Sequence, residues 1–186
     1  MLNTFVVYVE NKPGVLTRVA SLFRRRAYNI DSLTVGRTEK PEVSRMTIVV
    51  DSDPDQAHRI EAHLYKLVNV LFVENITDKS AISRDLAMIK VAATKEARSH
   101  VLELANVFRA RVIDVAPESL TIEITGGEDK IDGLMDVLRP YGIIEMVRTG
   151  VVAMVRGTQG VSPGVSVSAG DVPQQIILDE NLSSSV

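Results

Sequence analysis

Apolar residues along this chain fall into short runs with two spacings, and the order of those spacings predicts its architecture. Thr4 to Val9 (TFVVYV) is apolar and β-branched and reads as a buried strand. It stops at Asn11-Lys12-Pro13-Gly14, a turn signal. From Val15 the spacing becomes helical, with Leu16, Val19, Ala20, Phe23 and Ala27 on one face. Asn29 to Glu39 predicts a second strand, Lys40-Pro41-Glu42 a turn, and Val43 to Asp51 a third strand. Asp53-Pro54 marks a helix start, followed by the stripe Ala57, Ile60, Leu64 and Leu67, and Asn69 to Thr77 predicts a fourth strand. Strand, helix, strand, strand, helix, strand is the split βαβ, or ferredoxin-like, order.

The same order then recurs. Leu86 to Ala93 predicts a strand, and Val101, Leu102, Leu104, Ala105 and Phe108 a helix. Val112 to Val115 and Leu120 to Thr125 are strands around a turn at Pro117. Ile131, Leu134, Met135, Leu138 and Tyr141 stripe a last helix, and Ile143 to Val155 holds the closing strand. Placing Phe108 on Phe23 also places Val91 on Val6, Val101 on Leu16 and Ala105 on Ala20, a shared register that points to internal duplication. The expected class is therefore α+β: two tandem ferredoxin-like βαββαβ domains at 1–77 and 86–156, with a polar linker at 78–85. From Gly157 the chain is Gly/Ser-rich and lacks Lys and Arg, which predicts a disordered or loosely attached tail over 157–186. Within it, Val165-Ser166-Val167 and Ile176-Ile177-Leu178 are candidate edge strands.

Composition narrows the function classes. With 45% hydrophobic and 24% charged residues among 186, each half can build a core, and at 4% aromatics that core must be aliphatic. A net charge of −3 lacks the basic excess of a nucleic-acid binder. The longest basic run, Arg24-Arg25-Arg26, ends a predicted helix, where cations meet the negative pole of the dipole; that structural reading ranks above a phosphate-binding one. No cysteine is present, which excludes disulfides, thiol nucleophiles and Cys-based metal sites. No secretory segment and no apolar stretch of roughly 18–20 residues occurs, so the chain reads as cytoplasmic, without a membrane partner.

Catalytic constellations are hard to find. His58 and His63 are five apart on the second helix, which does not put both on one face as a metal pair requires, and His100 is a third, isolated histidine. No Gly-x-Ser-x-Gly elbow occurs, and the adjacent Ser99 and His100 face different ways on a helix. Glu123, Glu128 and Asp129 read as solvated strand and helix-start residues. Gly126-Gly127 lacks the Lys-Ser/Thr that a phosphate loop needs. The Asn11-Lys12-Pro13-Gly14 turn is different. Pro13 fixes the approach, Gly14 admits close backbone approach, and the first-turn amides beyond it suit a carboxylate. Asn11 adds an amide that both donates and accepts. On local chemistry alone a plain capped turn explains these residues equally well. In the second repeat the matching positions are Glu96, Arg98 and Ser99, so the turn chemistry is confined to the first domain.

These stretches resemble a known family. Residues 1–77, through ENKPGVLTRVASLF (Glu10 to Phe23), YNIDSLTVGRTE (Tyr28 to Glu39) and SRMTIVV (Ser44 to Val50), resemble an ACT domain, a ferredoxin-like module that binds small amino acids at a domain–domain interface. Together with HLYKLVNVLFVENIT (His63 to Thr77), RDLAMIKV (Arg84 to Val91) and RTGVVAMVRG (Arg148 to Gly157), they resemble the small regulatory subunits of acetolactate synthase, over about residues 1–157. The resemblance implies a non-catalytic subunit that activates a separate catalytic large subunit and confers feedback inhibition by valine, sometimes with leucine or isoleucine. Thiamine diphosphate, Mg²⁺ and FAD would belong to the partner, with no cofactor or metal in this chain. It also implies a homodimer through the ACT domains, with effector held by Asn11, Pro13, Gly14, Val15 and Leu16 of one chain and by Asn29 and Ile30 of its neighbour. The C-terminal domain is expected to serve dimerisation and coupling to the catalytic subunit. Rival readings are a free-standing ACT-type sensor of another enzyme or a transcription factor, and a small ferredoxin-like enzyme. The missing catalytic set disfavours the enzyme. RNA binding is disfavoured by strands without paired exposed aromatics.

Overall fold

The first apolar run forms β1 (Leu2–Glu10), a strand buried on both faces of its sheet. Phe5, Val7 and Val9 join the core, while Val6, on the opposite face, is equally inaccessible. The computed structural model describes residues 1–157, which divide into two units: Met1–Ile82 together with the segment from Ala153, and Ser83–Val152.

In the first unit β1 leads to α1 (Val15–Arg25), β2 (Ile30–Arg37), β3 (Val43–Asp51), α2 (Pro54–Tyr65) and β4 (Val70–Asn75), with sheet order β2-β3-β1-β4 and antiparallel neighbours throughout. Phe5, Phe23, Met46, Ile48, Ile60 and Leu64 are its largest buried groups and form the expected aliphatic-dominated core. The start of α2 is chemically fixed. Gln56 N donates to Asp53 Oδ1 at 2.7 Å, Asp53 N donates back to Gln56 Oε1 at 3.3 Å, and Pro54 occupies the first turn. The α1 stripe differs from expectation. Gly14 starts the helix from a left-handed conformation (φ 83°), so Val15, Val19, Leu22 and Phe23 turn inward. Leu16 and Ala20 face solvent, and Ala27 lies past the helix end.

The second unit repeats the order: β5 (Ala81–Ala92), α3 (Arg98–Val107), β6 (Arg111–Ala116), β7 (Ser119–Gly126), α4 (Glu128–Leu138) and β8 (Ile143–Arg148) give sheet order β6-β7-β5-β8. Its core is built on Ile89, Val101, Leu120, Ile122, Ile131 and Leu134. Asp85 is 4% exposed and accepts from Arg148 Nε at 2.6 Å, while Arg148 Nη1 reaches Asp132 at 3.3 Å. The α+β class and the two βαββαβ repeats are as expected, with two corrections to the borders. The polar stretch 78–85 is not all linker, because β5 begins at Ala81; β9 (Val152–Val155) pairs with β5, and Arg156 N donates to Ser80 O at 2.8 Å. The closing strand over 143–155 is in fact β8 and β9, separated at Thr149–Val151 where Gly150 takes a positive φ of 87°. The tail and its candidate edge strands lie outside the described residues from 158 on.

Candidate functional site

The turn from β1 into α1 is held by its neighbour, the β2–β3 hairpin. Asn11 N donates to Glu42 O at 2.6 Å, and Asn11 Nδ2 donates to Pro41 O at 2.8 Å. The amide nitrogen is therefore committed to the fold. Among the described residues, Asn11 Oδ1 makes no hydrogen bond, and the residue is exposed. Gly14 caps α1 without a side-chain partner, and no acidic residue occupies the first turn. Arg18 N returns to Gly14 O at 3.0 Å, but the N–H groups of Leu16 and Thr17 find no acceptor among the described residues. An acceptor oxygen, two unpaired donors at a helix N-terminus and the 44% exposed Leu16 thus all fall within the short, largely exposed segment from Asn11 to Thr17. Val15, also a candidate, is instead a core residue, 5% exposed. Pro13 is exposed and lies within the turn.

On the other side of the turn, Glu10 clamps β1 to the start of β4. Glu10 N donates to Asn69 O at 2.9 Å, Asn69 Nδ2 donates to Glu10 Oε2, and Lys12 Nζ meets Glu10 Oε1 at 3.0 Å. The Asn69 amide first, and Lys12 second, hold the Glu10 carboxyl below its usual pKa.

Asn29 and Ile30 are not near this turn in the same chain. Glu10 stands opposite Val43 across the β1–β3 ladder, whereas Ile30 stands opposite Val50. Seven residues of β3 separate the two ends, roughly 24 Å at about 3.4 Å per residue. Asn29 is exposed and Ile30 half-buried against the core. Sequence reading missed one contributor at the Asn11 end, the carbonyls of the Pro41-Glu42 turn. The Lys40-Pro41-Glu42 turn was visible in the sequence, but its bond to Asn11 was not.

The second unit has the same scaffold with different chemistry. Ala92 N donates to Gly142 O as Glu10 N does to Asn69 O, and Ala93 N donates to Glu118 O as Asn11 N does to Glu42 O. Ala93, three residues before Glu96, is therefore the true counterpart of Asn11, and the register drawn through Phe108 and Phe23 is slipped. Asn11's bond to Pro41 O is replaced by Arg98 Nη2, which donates to Ala116 O at 2.6 Å and Pro117 O at 2.5 Å. An apolar, buried Ala93 and a guanidinium bonded to the hairpin remove both the acceptor and the open turn.

Elsewhere, Gly126 sits where an added Cβ would meet Lys130 Cδ at 2.7 Å, so close packing of the strand-to-helix connection explains it. Among the described residues no three His, Asp or Glu side chains converge as metal ligands would, and no helix is long and apolar enough to cross a membrane.

Residues 5–72 match the family described as AHAS small subunit-like ACT domain, and residues 84–157 match that described as small subunit of acetolactate synthase. A probable acetolactate synthase small subunit from Archaeoglobus fulgidus is 52% identical over 159 residues, 86% of this chain and 99% of that protein. The chain belongs to the acetolactate synthase small-subunit family. An acetolactate synthase small subunit from Mycobacterium bovis is 50% identical over the same length, covering 86% of this chain and 95% of that one. The crystal structure of the acetolactate synthase small subunit from Thermotoga maritima superposes with a TM-score of 0.79 at 38% identity, covering 85% of this chain and 99% of its own. In this small subunit the ACT match spans the Asn11–Gly14 turn as well as Asn29 and Ile30, and the second match opens at Arg84, beside the buried Asp85.

Proposed function

We propose that this small subunit activates the catalytic large subunit of acetolactate synthase in the cytoplasm and confers feedback inhibition by branched-chain amino acids, valine foremost. The observation that carries the effector assignment is the Asn11–Gly14 turn: a spare acceptor and two unpaired helix-terminal donors beside an exposed apolar residue, present in one repeat and replaced in the other. The valine carboxylate would accept from the Leu16 and Thr17 amides, its ammonium would donate to Asn11 Oδ1, and its isopropyl group would lie against Leu16. Asn29 and Ile30, at the far end of the sheet, complete this site only from a second copy, which is why the proposal includes a homodimer. Because two chains then share one ligand, binding biases their arrangement, and a coupling of about 1–3 kcal/mol suffices to regulate a partner. Thiamine diphosphate, Mg²⁺ and FAD are assigned to the catalytic subunit, which performs the chemistry.

The test is reconstitution. The chain alone is expected to form no acetolactate from pyruvate, to raise the activity of a catalytic large subunit, and to make that activity fall with added valine. Turnover by the chain alone would overturn the non-catalytic assignment. Valine binding to the isolated chain without any effect on the catalytic subunit would favour a free-standing amino-acid sensor.

A further inference from the structure

We infer that the helix layer of the first unit carries a second ligand site, a cleft between α1 and α2 that takes a small polyanion of the phosphate class. The cleft has a volume of about 450 Å³ and is lined by Leu22, Arg25, Arg26, His63, Lys66 and Leu67. That volume lies within the range of ligand pockets, roughly 300–1,000 Å³. Its chemistry is one-sided: two guanidiniums, an ammonium and an imidazole over a leucine floor, with no carboxylate. A contiguous hollow of about 380 Å³ shares Arg25 and Leu67 and adds Arg18 and Arg24.

These cations are not explained by internal pairing. Arg24, Arg25, Arg26 and Lys66 make no ion pair or side-chain hydrogen bond among the described residues. The dipoles of α1 and α2 favour cations at these two helix ends, Arg24 and Arg25 on one and His63 and Lys66 on the other, but they supply no hydrogen-bonding partner for them. His63 adds an independent sign: its Nδ1 is buried without a hydrogen-bond partner, beside these cations. Burial first, then the charges of Arg26, Lys66 and Arg59, push its pKa down. A phosphate group fits such a lining, because arginine forks bind its oxygens in pairs and a lysine adds a point charge. The anion must overcome about half a negative charge at the C-terminus of each of α1 and α2, and several converging cations outweigh it. Arg25 lies about 16 Å along α1 from Gly14, which sets the first cleft apart from the effector turn, while the second hollow extends along α1 to Thr17. A zwitterionic amino acid, with one carboxylate and an ammonium of its own, is a poor match for four cationic or basic groups.

The experiment titrates sodium pyrophosphate into the full chain at constant ionic strength, following heat and the NMR signals of the His63 ring. One saturable site is expected, with the His63 signals shifting on binding. Arg25→Gln/Arg26→Gln should weaken it by about tenfold or more per guanidinium. Both side chains are exposed and unpaired, so the double variant should melt with the wild type, and Lys95→Gln, on the other unit, should bind normally. Binding no stronger than that of chloride, or binding that survives the double substitution, would overturn the inference. So would a double variant that fails to assemble with the catalytic subunit while pyrophosphate leaves the wild type unaffected, since the cleft would then be a dock for an acidic protein surface.

Discussion

Asn11→Ala separates the brace seen in the structure from the effector contact proposed for this side chain. Its Nδ2 donates to Pro41 O at 2.8 Å and braces the turn against the β2–β3 hairpin, while Oδ1 is left as an acceptor. The brace is exposed and neutral, so losing it costs about 0.5–1.5 kcal/mol of stability. In a domain of this size that lowers the melting temperature of the first unit by roughly 4–8 °C per kcal/mol. The proposed contact concerns a charged group. A hydrogen bond from a bound ammonium contributes about 1.5–3 kcal/mol, and its loss raises the half-inhibitory valine concentration by roughly 10- to 150-fold. The assay is a valine titration of the complex reconstituted with wild-type or variant chain, beside a melting curve of each. Stimulation of the catalytic subunit should persist, because the Asn11 backbone bond to Glu42 O is untouched. A lowered melting temperature with an unchanged inhibition curve would refute the effector role and leave Asn11 as a clamp.

Arg148→Met strips the cation from Asp85, a carboxylate 4% exposed, and should destabilise the second unit by about 3–5 kcal/mol, read as a drop in its urea midpoint. Gly14→Ala meets no atom within 4 Å, so its cost is confined to the positive φ of 83°; about 1–2 kcal/mol is expected in a denaturation of the first unit. Glu10 is held below its usual pKa, so it stabilises the fold above the unfolded value and that contribution disappears as pH falls through the lower, folded one. The stability gap between wild type and Glu10→Gln should therefore be full at neutral pH and close in acid below about pH 4, as followed by denaturant titrations across that range.

Where hydrophobic spacing decided an element, the sequence was sufficient. TFVVYV had no polar alternation, and β1 is buried on both faces; Asp53-Pro54 marked a helix start, and α2 begins there with a capping box. Errors arose where a distant pairing overrode local pattern. Ser83, Arg84 and Asp85 look like a linker, yet they belong to β5, with β9 paired to that strand and Arg148 neutralising Asp85. The phase of α1 was lost for a related reason. Leu16 and Val15 are both apolar, and only the left-handed backbone of Gly14 decides that Val15 is the one to enter the core.

The site was legible in part, and the division is instructive. Residue types announced the turn: Asn for an amide, Pro and Gly for a fixed backbone, with unpaired helix-terminal donors following from any helix start. Its specificity was not announced, because it depends on which hairpin carbonyl takes the Asn11 amide and which Asn11 atom is thereby left over. The second repeat makes the point in reverse. Sequence register set Glu96 against Asn11, but the matching backbone bonds to Glu42 O and Glu118 O identify Ala93, and Arg98 then supplies the donor to the hairpin that Asn11 supplies in the first unit. The clamp between strand–helix turn and hairpin is thus common to both repeats and is a requirement of the fold. What differs is the leftover group. An asparagine clamp leaves an acceptor beside open helix amides; an arginine clamp, with an alanine in the strand, leaves none. That contrast, rather than the Pro-Gly pair, is what supports the effector chemistry proposed for the first unit, and with roughly 24 Å of β3 between the levels of Glu10 and Ile30, only the proposed second chain would bring Asn11 and Asn29 to one ligand.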